Sequence, residues 1–310
     1  MMDQTTADGE QGLRPTHGAM ALAAAEGFGL SDPAGLFKQN YNRKSFTFDH
    51  GLGGNPLFEL DQLVDYAGRL PPDPKFSLWS NGKVGVDEGW DASAGPRYSL
   101  QDTIANIAAN NSFVMLKRVE LDSGYGPVMR KLMEALVELV GPSLRDDVIL
   151  GRGTLLIASP GRVTSYHIDA DTNFLFQIAG DKIFAVYDQT DRTLLSDEEI
   201  ERYCAGDVNG AQYKESRRQD GCLYDLRGGL AVHVPCMAPH WAQVRDTVSI
   251  ALSINFDLRS IGRLARIYKL NHRLRRFGLK PAPPGASTWR DQLKLASLDG
   301  LKTARRLVGK

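Results

Sequence analysis

The feature that most constrains the fold is a run of six short β-rich segments between residues 154 and 256. Each segment is rich in β-branched, leucine or aromatic residues and is bounded by Gly, Pro or Asp, which is typical of strands joined by turns. Six strands within about a hundred residues favour a β-sandwich or a barrel. The segments are Thr154–Ala158, Val163–Asp169, Phe174–Ile178, Lys182–Tyr187, Ala231–Val234 and Val248–Phe256. The chain is therefore predicted to be mainly β.

Predicted helices accompany this β-rich region. Pro127–Val140 carries an apolar face and ends at Gly141-Pro142, which is typical of a helix terminus. A connection of about 40 residues, Asp188–Gly229, interrupts the strands, and Ser196 with Glu199 forms a capping-box pattern at the start of a helix within it. Because such long connections in compact domains usually serve a function, we expect this one to be a lid or a substrate loop.

The composition is that of a globular protein. Of 310 residues, 42% are apolar and 24% charged, which excludes a fibrous or wholly disordered chain. No apolar run reaches the ~18 residues of a membrane span, and the three cysteines form no CxxC pair, so we expect a cytoplasmic protein. We predict a loosely ordered segment over residues 1–30, one domain over 31–257 with its barrel core at about 150–257, and a helical region over 258–310.

The net charge of zero conceals an uneven distribution. Residues 1–257 carry 23 basic and 35 acidic side chains, whereas residues 258–310 carry 14 basic and 2 acidic ones. Apolar residues recur every three positions from Leu258 to Leu270, which predicts an amphipathic helix, and a second helix follows Pro281–Gly285. For this basic region we favour packing on the protein's own acidic body, or a homodimer, over the binding of nucleic acid.

One short motif points to a metal site. His167 and Asp169 lie two residues apart on a predicted strand, so both side chains project from one face. His240, between two later strands, offers a third ligand, and two imidazoles with one carboxylate form the facial triad of non-haem Fe(II) oxygenases. On the His-x-Asp motif alone, a core histidine beside a turn aspartate is the favoured interpretation. His233, a rival third ligand, alternates within a predicted strand and is interpreted as structural.

The residues around this motif resemble the core of the JmjC, cupin-like Fe(II)- and 2-oxoglutarate-dependent oxygenases. The resemblance extends over residues 153–256, from Gly153-Thr-Leu-Leu-Ile through the His-x-Asp motif to Ser249–Phe256. It is greatest to the asparaginyl hydroxylases typified by factor inhibiting HIF. The resemblance implies a double-stranded β-helix, also called a jelly roll, with flanking N-terminal and C-terminal helices.

The same resemblance assigns roles to individual residues. It implies that His167, Asp169 and His240 bind iron and serve catalysis. Four residues would hold the co-substrate 2-oxoglutarate: Lys182 and Thr164 at its distal carboxylate, and Asn173 and Asn255 along the pocket. Lys182 has independent support, because an ammonium on a mostly apolar strand needs an anionic partner. A pocket tyrosine of the family aligns with Met115, so one co-substrate hydrogen bond is expected to be missing.

The leading functional hypothesis is a dioxygenase that hydroxylates a C–H bond and releases succinate and CO2. A protein or peptide side chain is the favoured substrate, and a free small molecule is the next choice. Hydroxylation and demethylation are both open, because the residues do not reveal which carbon reacts. One alternative is an RNA-directed oxygenase that uses the basic C-terminal region to hold phosphates. Another is a module that binds metal and 2-oxoglutarate for regulation, without catalysis.

Overall fold

Two antiparallel β-sheets form the centre of the molecule. The computed structural model describes residues 29–90, 92, 93 and 95–308. Within them the strands are β1 Phe46–Asp49, β2 Ser77–Asn81, β3 Ser112–Lys117, β4 Val148–Ala158, β5 Val163–His167, β6 Thr172–Ala179, β7 Lys182–Val186, β8 Cys222–Leu226, β9 Leu230–Val234, β10 His240–Val244 and β11 Ser249–Leu258.

The order of the strands defines a double-stranded β-helix. The larger sheet has the order β1-β9-β6-β11-β4-β3-β2, and the smaller has the order β5-β10-β7-β8. From β4 to β11 the chain alternates between the two sheets at every step except β7 to β8, which pair within the smaller sheet. The predicted jelly roll is therefore confirmed.

Helices flank the two sheets, as predicted. Those described are α1 Leu36–Asn40, α2 Leu60–Arg69, α3 Leu100–Ala105, α4 Tyr125–Val140, α5 Pro142–Arg145, α6 Asp197–Ala205, α7 Arg259–Arg276 and α8 Thr288–Val308. Short 3-10 turns lie at Pro56–Phe58, Val119–Leu121 and Glu215–Asp220. Among the described helices, none combines the length and the apolarity needed to cross a bilayer.

Strand β11 separates the main core from the interior between the sheets. Its residues Ile250, Leu252, Ile254 and Phe256 belong to the largest hydrophobic cluster, together with side chains of α1, α2 and α4. On the opposite face, Ser249, Ser253 and Asn255 line a cavity between the two sheets. This alternation follows from the period of two in a strand. The small and polar face of β11 thus leaves room between the sheets.

The first C-terminal helix packs on the protein's own body. Tyr268 of α7 lies in a cluster with Ile200 of α6, and Ile261 and Leu264 pack against that cluster. Arg275 of α7 forms ion pairs of 2.8 Å with Glu198 and 2.7 Å with Glu201. The apolar stripe predicted from Leu258 to Leu270 therefore packs against other parts of the same chain.

Several sequence predictions differ from the structure in detail. Strand β5 ends at His167, two residues before the predicted end at Asp169. The predicted connection Asp188–Gly229 contains α6, with the expected capping box of Ser196 and Glu199, but also the unpredicted strand β8. The residues of β8 are largely exposed on the edge of the smaller sheet, so they show no apolar alternation. The segment 1–30 lies outside the described residues apart from Gly29 and Leu30.

Phe174 offers a test of this core. Its ring is fully buried and lies 4.6 Å from His233 and 5.9 Å from Phe37, measured between ring centroids. We predict that Phe174→Ala lowers the free energy of unfolding by about 3–5 kcal/mol, since it leaves a cavity. Phe277→Ala is the matched control, because that ring is 83% exposed, and it should stay within about 0.5 kcal/mol of the parent. Urea unfolding measures both, and equal effects would contradict this assignment of the core.

Candidate functional site

The pairing of β10 with β5 brings two predicted site histidines together. His240, the first residue of β10, lies directly opposite His167, the last residue of β5. Their ring centroids are 4.1 Å apart. The Nε2 atoms of His167 and His240 lie 3.7 and 3.6 Å from Oδ2 of Asp169. Within the described residues, these three side chains form a group whose donor atoms all lie within 4.8 Å of one another.

Asp169 is held in this group by a turn in the chain before β10. Because β5 ends at His167, strand geometry does not orient the carboxylate. Instead, the backbone N–H of Met237 donates to the carbonyl of Asp169 at 2.7 Å. Met237 has a φ of +60°, which non-glycine residues seldom adopt. Such backbone strain tends to occur at functional sites, where the surroundings impose it.

Hydrogen bonds and burial together leave the Nε2 atom of each imidazole able to bind a metal. Nδ1 of His167 lies 2.7 Å from the Ser165 carbonyl, and Nδ1 of His240 lies 2.9 Å from the Ala238 carbonyl. A carbonyl accepts, so each Nδ1 carries the proton and each Nε2 keeps its lone pair. Burial lowers the pKa of both imidazoles to about 4, so both are neutral at pH 7. Burial also raises the pKa of Asp169, while His240 opposes that shift.

Thr164 reaches the same cavity because of a β-bulge. On a regular strand, a residue three positions from His167 would point to the opposite face. The register, however, shifts: His240 pairs with His167, but Ala242 pairs with Thr164. Strand β5 thus has one more residue than β10 over this interval, which restores both side chains to one face. Thr164 and His167 accordingly line one cavity.

Lys182 is a buried cation in the wall of this cavity. The residue is 5% exposed, and β7 places it opposite Val244 of β10. Among the described residues no carboxylate lies near enough to affect its titration, and burial alone lowers the pKa of Lys182 to about 7. A buried ammonium without an anion is costly, so the cavity favours a ligand that carries negative charge.

The predicted asparagines are joined in a polar network that extends to residues the sequence did not identify. Nδ2 of Asn173 donates to Ser253 at 2.8 Å, and the Ser253 hydroxyl donates to Oδ1 of Asn255 at 2.7 Å. Nδ2 of Asn255 then donates to Asp171 at 2.9 Å. Arg152 closes the network with donation to Asp171 at 3.4 Å. Oδ1 of Asn173 is buried and has no hydrogen-bond partner among the described residues.

All seven predicted site residues line the cavity between the sheets, which has a volume of about 450 Å³. Trp90 also lines it, and its ring centroid lies 4.5 Å from that of His167. Tyr203 of α6 and Val208 come from the connection after β7, and the backbone N–H of Trp90 donates to Oδ1 of Asn209 in that connection at 2.7 Å. No sequence pattern points to Trp90, because its contact with His167 depends on a loop from outside the barrel.

His233 and Met115 lie where the sequence interpretation puts them. His233 is fully buried away from the metal group, where Nδ1 lies 3.0 Å from the Asn173 carbonyl and Nε2 accepts from the Asn42 N–H at 2.9 Å. It is therefore a structural residue. Met115 of β3 lines the cavity, and its side chain offers no hydroxyl there.

Comparison with known proteins establishes the fold. No protein-family model and no curated protein matches the chain. Two crystal structures of YcfD, a ribosomal oxygenase of Escherichia coli, match 87% of this chain at 15% identity, with TM-scores of 0.52 and 0.50. A YcfD complex with cobalt and 2-oxoglutarate matches equally well, at a TM-score of 0.50. The chain spans about two thirds of the length of these structures, 66–67%. It therefore has the fold of cupin- and JmjC-like oxygenases.

Lys182 should destabilise the protein when no ligand is present. We predict that Lys182→Met raises the free energy of unfolding by about 1–4 kcal/mol, because an apolar side chain replaces a buried charge. The folded-state pKa of about 7 lies below the ordinary value of 10.5, so the penalty is full below pH 7 and disappears as pH rises towards 10.5. The increase in the free energy of unfolding caused by Lys182→Met, measured by urea denaturation, should thus be larger at pH 6 than at pH 9. An unchanged free energy of unfolding, or an increase that does not vary with pH, would contradict this prediction. Lys44→Met, at an exposed lysine, is the control.

Proposed function

We propose that the protein is an Fe(II)- and 2-oxoglutarate-dependent dioxygenase that hydroxylates a side chain of a protein or peptide. The observation that carries the proposal is the presence of two complementary features in one cavity. A triad of two imidazoles and one carboxylate lines the cavity, and so does the buried Lys182, which has no acidic partner among the described residues. One feature suits a divalent metal, and the other suits a dianionic co-substrate.

The donor set of His167, Asp169 and His240 suits a divalent transition metal. Two imidazole nitrogens and one carboxylate oxygen, with the other positions free, match the facial triad of Fe(II) oxygenases. The Nδ1 hydrogen bonds of both histidines already fix the tautomer that metal binding requires. These residues would hold the iron, and the neighbouring positions would stay open for ligands.

The polar wall of the cavity suits 2-oxoglutarate. Lys182 would pair with the distal carboxylate, and the Thr164 hydroxyl, on the same cavity surface, would add a hydrogen bond. Asn173 has an unsatisfied amide oxygen, as expected of a side chain that needs a ligand or water beside it. Both ends of the Asn255 amide are already bonded, so Asn255 would orient Ser253 and Asp171 from the pocket wall.

When bound, the iron would supply the oxidising chemistry with dioxygen as the oxidant: one oxygen atom would enter the substrate C–H bond, and the other would enter succinate as 2-oxoglutarate loses CO2. The protein's own residues would bind, orient and exclude water. Trp90 covers one side of His167, and Tyr203 contacts the loop after Asp169 by accepting the Ala170 N–H at 3.2 Å. Both side chains line the cavity and would shield it from solvent, which matters when a reactive oxidant is produced.

Several finer assignments belong to this proposal. The preference for a protein substrate is supported by the fold likeness to an oxygenase described as ribosomal. The closer resemblance to the asparaginyl hydroxylase factor inhibiting HIF rests on the sequence motifs alone. Iron, a cytoplasmic location and a homodimer through the C-terminal helices are likewise predictions from the sequence. An RNA substrate remains an alternative, and so does a regulatory module without catalysis, which the experiment below addresses.

Succinate release tests the proposal directly. Purified protein with Fe(II), 2-oxoglutarate and air should form succinate, because many such sites turn over slowly without substrate. His167→Ala and Asp169→Ala should reduce the rate to background, since each removes a metal ligand. Lys182→Met should raise the KM for 2-oxoglutarate at least about 100-fold, the effect expected when a buried charge partner is lost.

His272→Ala is the matched control, because His272 lies on α7 outside the cavity, and it should behave as the parent. If the parent forms no succinate but still binds 2-oxoglutarate under nitrogen, the regulatory alternative gains support. If it binds none, the proposal is wrong. Turnover that survives Lys182→Met with an unchanged KM would remove Lys182 from the co-substrate site.

A further inference from the structure

The cavity carries more positive charge than the metal and co-substrate require. Among the described lining residues there are five cations, Lys75, Lys117, Arg118, Arg152 and Lys182, and two carboxylates, Asp169 and Asp171. On the proposed function, Fe(II) and 2-oxoglutarate bring charges that cancel. Asp171 is paired with Arg152, and Lys182 is assigned to the co-substrate. Asp169 would ligate the metal. Three cations, Lys75, Lys117 and Arg118, therefore have no assigned anion.

The three remaining cations have no ion-pair partner among the described residues. Lys117 is half-buried, and within the part of the chain that the structure describes its ammonium donates only to the Pro74 carbonyl, at 3.1 Å. Burial lowers the pKa of this side chain. Lys75 and Arg118 are exposed. A partly desolvated ammonium satisfied by one carbonyl still favours an anion.

Strand register places Lys117 on the same cavity wall as the polar network of Asn173, Ser253 and Asn255. Lys117 is the last residue of β3 and pairs with Thr154 of β4, which pairs in turn with Ser253 of β11. Two strand spacings, about 10 Å in all, therefore separate Lys117 from Ser253 along one inward-facing row. Ser253 belongs to the polar network beside the metal group. A substrate that contacts Lys117 and enters the cavity would therefore pass along the wall that carries this network.

An apolar side chain extends the same wall towards the surface. Leu150 lies two residues before Arg152 on β4, so both side chains project from the same face, and it is 47% exposed. A free small acid would not reach it, whereas a polypeptide that spans the rim would contact both Leu150 and the cations. The wall therefore combines sites for a negative charge and for an apolar side chain.

We propose that the substrate is an acidic polypeptide segment, whose carboxylates are recognised by Lys75, Lys117 and Arg118 at the rim of the cavity. The inference rests on the proposed function and names its substrate class. A polypeptide is favoured over RNA because single-stranded RNA is usually bound by stacking on exposed aromatic side chains. Of the described aromatic side chains that are prominently exposed, Tyr98, Phe277 and Trp289, none lines the cavity.

The test uses the full chain, loaded with Co(II) and 2-oxoglutarate under nitrogen, and four fluorescein-labelled probes. Three are pools of random nonapeptides that differ only in having Glu, Gln or Lys at the three central positions, and the fourth is a ten-nucleotide oligouridine. Fluorescence anisotropy gives the affinities. The parent should bind the Glu pool about tenfold more tightly than the Gln pool, since three screened ion pairs contribute a few-fold each.

The triple variant Lys75→Gln/Lys117→Met/Arg118→Gln should lose this preference, whereas Lys44→Gln, an exposed lysine outside the cavity, should keep it. Thermal unfolding of the triple variant checks that it is folded. Lys117→Glu alone should favour the Lys pool over the Glu pool. Equal binding of the Glu and Gln pools by the parent overturns the inference, and so does tighter binding of oligouridine that the triple variant loses.

The same protein sample separates this inference from the proposed function. If the parent binds 2-oxoglutarate but does not distinguish the Glu and Gln pools, the acidic-substrate inference fails and the proposed function stands. If the parent binds no 2-oxoglutarate, the proposed function itself fails. The two outcomes are read by different probes and cannot be confused.

Discussion

The site depends on one backbone pairing, that of β10 with β5. This pairing sets His240 against His167, and the bulge beside it turns Thr164 into the same cavity. The turn before β10 then supplies the Met237 N–H that holds Asp169 within reach of both imidazoles. Three side chains from two distant parts of the chain therefore converge because of main-chain hydrogen bonds. Without this register, the same residue types would face different sides of the sheet.

The interior between the two sheets is lined by polar and charged side chains, which suit a charged ligand but do not stabilise the fold. Small and polar residues of β11 leave the cavity open, while the alternate apolar residues of that strand pack into the main core. Lys182 then puts an ammonium into this space at a cost that packing does not offset. Natural proteins commonly accept such local destabilisation at functional sites, where a ligand removes it. The large hydrophobic cluster on the opposite face of β11 stabilises the fold.

Much of this architecture could be predicted from local patterns. The alternation in β11 and the spacing of His167 and Asp169 can be read directly along the chain, and so can the apolar stripe of α7. The features that could not be predicted depend on the register of the strands or on loops distant in the sequence. Strand β10 begins with His240 immediately after Pro239, and four of its five residues are buried, so its sequence shows no alternation of polar and apolar residues. The bulge, the contact of Trp90 with His167 and the Arg152 network arise only once the strands are paired.

The most direct test of this account is proton uptake when 2-oxoglutarate binds. Calorimetric titration of the Co(II)-loaded protein under nitrogen, in two buffers of different ionisation enthalpy, measures it. With a pKa of about 7 for free Lys182, binding at pH 8 should take up close to one proton, and at pH 6 almost none. Lys182→Met should abolish the difference between the two pH values. Binding without proton uptake at pH 8, or uptake that persists in Lys182→Met, would contradict the central role given to this lysine.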